Sequence, residues 1–161
     1  MLESITDSLR DFIVTIFRHE IGTTDFYISV GCTLFAIVAV ARLLAGLFGR
    51  SKSVFVAALA VVLPLLFGAV GYVAVELYLL PQFEAEWATT YLPWAAFGVA
   101  GLLVARLLSA KLWGVGKGVA VLMLILSGLA GVGAYYGAQL MIGIFDRGSE
   151  QIEKREERLK L

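Results

Sequence analysis

Apolar residues fill four long stretches of the chain, and polar residues lie mainly between and beyond them. A helix needs about 20 apolar residues to cross a bilayer, and each stretch is at least that long. The few charges inside the stretches lie towards their ends. The pattern predicts an all-α integral membrane protein in which residues 23–145 form a four-helix transmembrane bundle. The approximate spans are 26–48, 53–80, 91–113 and 115–145.

The N-terminal segment, 1–22, has a different pattern. Its apolar residues recur at helical spacing and its charged residues lie opposite them, which indicates an amphipathic helix. The apolar block "FIVTIF" is too short to span a bilayer, and the acidic start is unlike a signal peptide. We therefore expect a helix lying in the membrane interface, with packing of the same face on a partner subunit as the open alternative. His19, the only histidine, is expected to have a structural or surface role.

The C-terminal segment, 146–161, is dominated by charged residues of both signs. Glu150 and Lys154, like Glu156 and Lys160, are four residues apart, so each pair supports a helix. The segment is predicted to be a charged helical tail. A solvated helix and a helix that docks on a partner both fit this pattern.

A short phrase occurs twice, as "VARLLAG" at 40–46 and as "VARLLSA" at 104–110. Aligning the chain with itself at this spacing also places Pro64 opposite Gly128 and Tyr72 opposite Tyr136. The match indicates two tandem helical hairpins. Because two spans separate the copies, both hairpins would have the same orientation, which makes the repeat parallel rather than inverted.

Each copy of the phrase contains an arginine inside a span. At a rise of about 1.5 Å per residue, Arg42 and Arg106 lie roughly 20–24 Å from the other end of their spans. Arginines at that depth can extend their guanidinium groups to the headgroups, although an anion or substrate site is the alternative. Together with neighbouring cations they predict a basic collar that contacts anionic lipid. The candidate lipid or anion contacts are Arg42, Arg50, Lys52, Arg106, Lys111 and Lys117.

Small residues are concentrated in the fourth span, "SGLAGVGAYYGAQ". Small residues allow helices to approach closely in lipid, where packing drives association. The candidate helix-packing face consists of Gly128, Gly131, Gly133 and Gly137. It would serve either contacts within the bundle or contacts with another protein. Gln139, which is polar in the same span, is expected to form a hydrogen bond between helices.

Composition and charge support the membrane assignment and suggest an orientation. The chain is 60% hydrophobic and 16% charged, against about 45–50% and 25% in soluble domains. A net charge of zero argues against nucleic acid as a partner. Positive residues in the first and third loops predict that these are cytoplasmic and both termini outside, although the basic residues of the tail oppose this. Aromatic residues at both boundaries, including Trp113, fit interfacial belts, and the small size suggests a bacterial inner membrane.

The sequence contains no metal, nucleotide or nucleophile motif, so we expect neither an enzyme nor a bound cofactor. The first hypothesis is a non-catalytic structural, anchoring or assembly subunit of a larger membrane complex. Its partners would be the lipid bilayer and either other membrane subunits or further copies of the chain. The alternative is a small oligomeric channel or transporter, with anions as its candidate solutes. A holin-like permeabilising protein ranks below both.

Overall fold

The computed structural model describes residues 2–48, 53–83 and 85–159, and within these ranges the chain is helical without any strand. The short connections between helices leave no room for a separate extramembrane domain there. The helices are α1 (Leu2–Phe17), α2 (Thr24–Phe48), α3 (Val54–Ala74), α4 (Glu86–Val104), α5 (Ala110–Trp113) and α6 (Lys117–Leu159).

Two helices are continued by wider π-helical turns. The turn Val75–Leu79 extends α3, and the turn Ala105–Ser109 joins α4 to α5. With these extensions, four helices are long and apolar enough to cross a membrane. The spans are Thr24–Phe48, Val54–Gln82, Glu86–Trp113 and Lys117–Phe145. The prediction of an all-helical chain with four helices long and apolar enough to cross a membrane is confirmed for the described residues.

The third span begins at Glu86, five residues before the start expected from its hydropathy. The additional turn contains two threonines whose hydroxyl groups donate to the Glu86 carbonyl oxygen, Thr89 at 2.8 Å and Thr90 at 3.2 Å. Because these hydroxyls are paired with the helix itself, polar residues can occupy its first turn. The sixth helix, α6, has 43 residues, so it extends for about 64 Å without a break. The charged C-terminal segment is therefore a continuation of the fourth span as far as Leu159.

The four spans pack as two pairs, since the most extensive contacts are between α2 and α6 and between α3 and α4. Successive spans run in opposite directions, so the end of one span and the start of the next lie at the same end of the bundle. We call the end near Phe48, Val54 and Lys117 the basic end, and the opposite end, where α1 packs, the α1 end. The π turn of α4 and the short helix α5 connect the two pairs near the basic end.

The core lies in the half of the bundle nearer the basic end and is centred on Trp113. The Trp113 side chain is fully buried, and alanines make up most of the cluster around it: Ala41, Ala45, Ala60, Ala110 and Ala120. Nearby, the Ser109 hydroxyl donates to the Ala60 carbonyl oxygen at 2.6 Å, which joins α3 to the π turn of α4. The expectation that Trp113 belongs to an interfacial belt is therefore wrong. Small neighbours on α2, α3, α5 and α6 leave a space that the indole fills.

Helix α1 crosses the opposite half of the bundle and contacts both helix pairs. Its Phe12 ring lies 4.7 Å from the Tyr72 ring and 5.6 Å from the Phe97 ring, centroid to centroid. At its other end, the Phe17 ring lies 6.1 Å from the Tyr135 ring of α6. The helix buries Phe12 and Ser8 and exposes its charged residues. Contacts with α3, α4 and α6 hold α1 across the bundle.

The α1 helix ends where Arg18 adopts a left-handed backbone conformation, with φ at +53°. In this conformation the Arg18 amide donates to the Val14 carbonyl oxygen at 2.7 Å. A residue with a Cβ adopts the left-handed region at a cost of roughly 1–2 kcal/mol, which glycine would avoid. The turn directs the following residue, His19, towards α6.

Candidate functional site

A cleft separates the two helix pairs in the half of the bundle nearer the α1 end. It has a volume of about 590 Å³ and is lined by α2, α3, α4, α6 and the last turn of α1. Leu65, Phe97 and Gly128, which line its deep part, each lie eleven residues from an end of their span, or about 16 Å. The cleft therefore begins near mid-membrane. Pockets that bind small molecules typically measure about 300–1,000 Å³, so the volume suits a ligand.

Polar groups are gathered at the mouth of the cleft. The Gln139 amide nitrogen, on α6, lies 3.1 Å from the Ser29 hydroxyl of α2, to which it donates, and contacts His19 Nε2. The Tyr135 hydroxyl donates to the Phe17 carbonyl oxygen at 3.1 Å. The interhelical hydrogen bond expected of Gln139 is thereby confirmed. These bonds fix the end of α1 over the cleft.

Sequence reasoning did not identify Arg18, Ser29 or Tyr135 as members of this site. Ser29 and Gln139 are polar residues within largely apolar helices, which was the available signal. The sequence alone could not show that they meet, because they are 110 positions apart. The pairing depends on the arrangement of α2 against α6.

The cationic residues predicted as lipid or anion contacts lie away from this cleft. Arg42 lines a shallow depression on α2, and its guanidinium group reaches towards Gly46, one turn nearer the basic end. Arg106, Lys111 and Lys117 are exposed. None of these four lines the cleft, which leaves them as cations on the surface of the basic end. The remaining two predicted contacts, Arg50 and Lys52, lie outside the described residues.

The four glycines of the predicted packing face are in different surroundings. A Cβ atom built at Gly131 would lie 2.5 Å from Ile37 Cγ1, so this glycine allows α2 and α6 to approach each other. A Cβ built at Gly128, Gly133 or Gly137 would meet nothing within 4 Å. Gly128 lines the cleft, whereas Gly133 and Gly137 are on the exposed side of α6. Within the described chain, only Gly131 of this set makes a tight interhelical contact.

Glycines outside the predicted face make the closest contacts of the other pair. A Cβ at Gly68 would lie 2.9 Å from the Phe97 ring, and one at Gly71 would lie 3.1 Å from the Ala96 carbonyl oxygen. A Cβ at Gly101 would lie 3.2 Å from the Pro64 carbonyl oxygen. The α3–α4 pair is thus held together by direct approach of the two backbones.

Glu76 is the one acidic residue inside the π turn that extends α3. Its Oε2 atom is buried and has no hydrogen-bond partner among the described residues. Wide turns of this kind frequently occur at functional sites, and an unpaired buried carboxylate oxygen is costly. The residue does not line the cleft, so the two features are separate.

The described residues contain no group of three histidine, cysteine or acidic side chains that could hold a metal ion. Cys32, the only cysteine, is an exposed free thiol on α2. The cleft itself combines a cation, an imidazole and hydroxyl groups with an apolar interior. Comparison of the chain with protein-family models, with curated proteins and with solved structures finds no match.

Proposed function

We propose that the protein is a non-catalytic structural or anchoring subunit of a larger membrane complex. The observation that carries the proposal is the exposed side of α6, where Gly133 and Gly137 leave open space one turn apart. In lipid, such a gap between larger side chains favours the close approach of another helix. The neighbouring side chains, Leu129 and Leu140, are 62% and 70% exposed, so they are available to pack against that helix.

The shape of α6 supports the same proposal. The helix continues for 14 residues beyond Phe145, the last residue of its span, which corresponds to about 21 Å. Its extension carries charges of both signs. A rigid helix that joins an unpaired membrane face to a charged segment can engage one partner inside the bilayer and outside it.

The channel or transporter alternative has less support than the subunit. Its candidate anion residues, Arg42 and Arg106, do not line the cleft, and α2 carries the Arg42 guanidinium towards the surface of the basic end. The core around Trp113 fills the half of the bundle beyond the cleft. An anion path in a single chain would have to cross that packed half.

We also propose that the bundle consists of two tandem copies of one hairpin. Under the alignment of the two arginine phrases, α2 corresponds to α4 and α3 corresponds to α6. Exchanging the copies converts the α2–α6 pair into the α4–α3 pair, and these are the two most extensive pairings. A parallel two-fold relation between the hairpins accounts for both.

The proposed orientation places the basic end in the cytoplasm and both termini outside. It rests on the cations at Arg42, Arg106 and Lys111 and on the direction of the Arg42 side chain. The α1 helix would then lie in the outer interface, exposing its charges to the headgroups.

Reporter proteins fused after residue 161 test this orientation in a bacterial host. Alkaline phosphatase, which is active only outside the cytoplasm, should be active at this position, and green fluorescent protein, which fluoresces only inside it, should be dark. The opposite pattern would reverse the orientation.

The subunit proposal predicts that leucine at Gly133 and Gly137 removes the partner without unfolding the chain. Both side chains would enter open space within this chain, so the bundle should keep its stability while the approach of a second helix is blocked. The protein would be extracted from its native membrane in mild detergent and its complexes weighed by native mass spectrometry. We expect wild type to carry other polypeptides and the Gly133→Leu/Gly137→Leu variant to lose them.

Gly118→Leu is the matched control, because Gly118 is also open, on the same helix, about 22 Å from Gly133. It should retain the partner. A wild-type complex that contains only copies of this chain, or only one copy, would contradict the subunit proposal. Retention of the partner by the double variant would move the contact to another surface.

A further inference from the structure

The cleft under α1 has two chemically different parts. Its interior is apolar, with Ile37, Leu65 and Phe97 among its walls. Its mouth is polar and cationic, with Arg18, His19 and Gln139. Among the described residues that line it, none is acidic. This distribution matches a molecule with a negatively charged head and a hydrocarbon tail.

The position of the opening indicates where such a molecule comes from. The rim includes Val132 and Tyr136, which are 53% and 63% exposed and lie within the fourth span. Their neighbours in the bilayer are hydrocarbon chains rather than water. Arg18 and Thr15, also exposed, lie on the α1 side of the opening. The opening therefore connects the cleft with the bilayer from the side.

We propose that the cleft binds one anionic membrane lipid, with its headgroup at Arg18 and His19 and an acyl chain between the helix pairs. The Arg18 guanidinium supplies the positive charge and a hydrogen-bond donor for a phosphate oxygen. The acyl chain fills the space beside Gly128. A Cβ atom placed on this glycine would meet no other atom of the neighbouring helices within 4 Å. The site is at the opposite end of the bundle from the basic collar and does not depend on a partner subunit.

The backbone at Arg18 gives this proposal a second support. The residue holds a left-handed conformation that glycine would adopt without strain. If this position only ended the helix, glycine would end it with less backbone strain. A positive charge at the mouth of the cleft, however, requires the arginine side chain. Arg18→Gly therefore removes the charge while making the turn more favourable.

The test uses the full chain in detergent with two lipids of identical acyl chains, phosphatidylglycerol and phosphatidylcholine. Native mass spectrometry gives the number of lipids bound and their apparent Kd. We expect wild type to retain one phosphatidylglycerol in preference to phosphatidylcholine. Arg18→Gly should weaken phosphatidylglycerol binding roughly tenfold, the size expected for loss of a hydrogen bond to a charged group. Arg18→Lys should keep most of the preference.

Two further variants separate the acyl-chain site from other surfaces. Gly128→Leu places a side chain in the cleft and should weaken binding of both lipids, whereas Gly118→Leu, the matched substitution outside the cleft, should weaken neither. Replacing Arg42 and Arg106 together with glutamine should leave the retained lipid in place, since they are not in the cleft. Loss of that lipid in the glutamine variant would overturn the proposal in favour of the basic collar.

The remaining outcomes are also decisive. Equal binding of the two lipids by wild type, or unchanged binding by Gly128→Leu, would overturn the proposal. Displacement of the lipid by millimolar inorganic phosphate would show that the mouth binds free anions and would overturn the assignment to a membrane lipid. Because these variants leave Gly133 and Gly137 intact, failure here is distinguishable from failure of the subunit proposal.

Discussion

Replacing Trp113 with alanine is expected to destabilise the bundle by roughly 3 kcal/mol, one of the largest effects of any single substitution. Large-to-small changes in packed cores cost about 3–5 kcal/mol for tryptophan, and the lower end applies because lipid rather than water is the reference. The alanines around the indole have no side-chain length with which to fill the gap. The cavity would therefore remain largely open.

Unfolding in sodium dodecyl sulfate, followed by circular dichroism in mixed micelles, measures this effect as a lower midpoint. Trp87→Ala is the control, because Trp87 is 62% exposed and should change the midpoint little. Trp113→Phe should fall between them: it loses volume but also removes the indole N–H, which is buried without a hydrogen-bond partner in the described structure. An unchanged midpoint for Trp113→Ala would contradict the position of the core.

Hydropathy was sufficient to predict the spans because it reflects a constraint that each helix meets by itself. A chain in lipid must satisfy its backbone hydrogen bonds within the helix and present apolar side chains. Span length and composition follow from these two requirements. The early start at Glu86 was missed because hydropathy counts the hydroxyls of Thr89 and Thr90 as polar, although both are paired with the helix backbone.

Pairwise packing was harder to predict than the spans. The sequence predicted a packing face of glycines in the fourth span, yet Gly133 and Gly137 of that face have open space, while Gly68 and Gly71 lie against the neighbouring helix. A small residue is a necessary condition for close approach and does not identify the helix that approaches. Which helix approaches depends on the side chains of both helices, such as the Phe97 ring that lies opposite Gly68.

The cleft could not be predicted from the sequence for a related reason. It exists because the two helix pairs meet around Trp113 near the basic end and leave a space between them, under the last turn of α1, nearer the other end. The periodicity of a single helix does not show which half of the bundle is packed and which half is open. His19 and Gln139, 120 positions apart, acquire their shared role only when the turn at Arg18 brings α1 over α6.

Gly71→Leu is expected to produce the second large effect, a loss of about 1–3 kcal/mol or more from overpacking. A Cβ at this position would lie 3.0 Å from Ala100 Cβ and 3.1 Å from the Ala96 carbonyl oxygen. Neither atom can rotate away, so α3 and α4 have to separate. By contrast, the nearest atoms to a Cβ at Gly131 would be side-chain atoms of Ile37 and Thr33, with no backbone atom among them.

Gly98→Leu is the comparison for this prediction, because Gly98 is on α4 near the same contact but a Cβ there would meet nothing within 4 Å. We expect the detergent-unfolding midpoint to fall for Gly71→Leu and to stay near wild type for Gly98→Leu. Since Phe97 of the displaced helix lines the cleft, Gly71→Leu should also weaken retention of the anionic lipid. Equal midpoints for the two variants would mean that α3 and α4 do not approach each other as closely as Gly71 and Ala96 indicate. A lower midpoint with full lipid retention would show that the cleft depends on α2 and α6 more than on the α3–α4 pair.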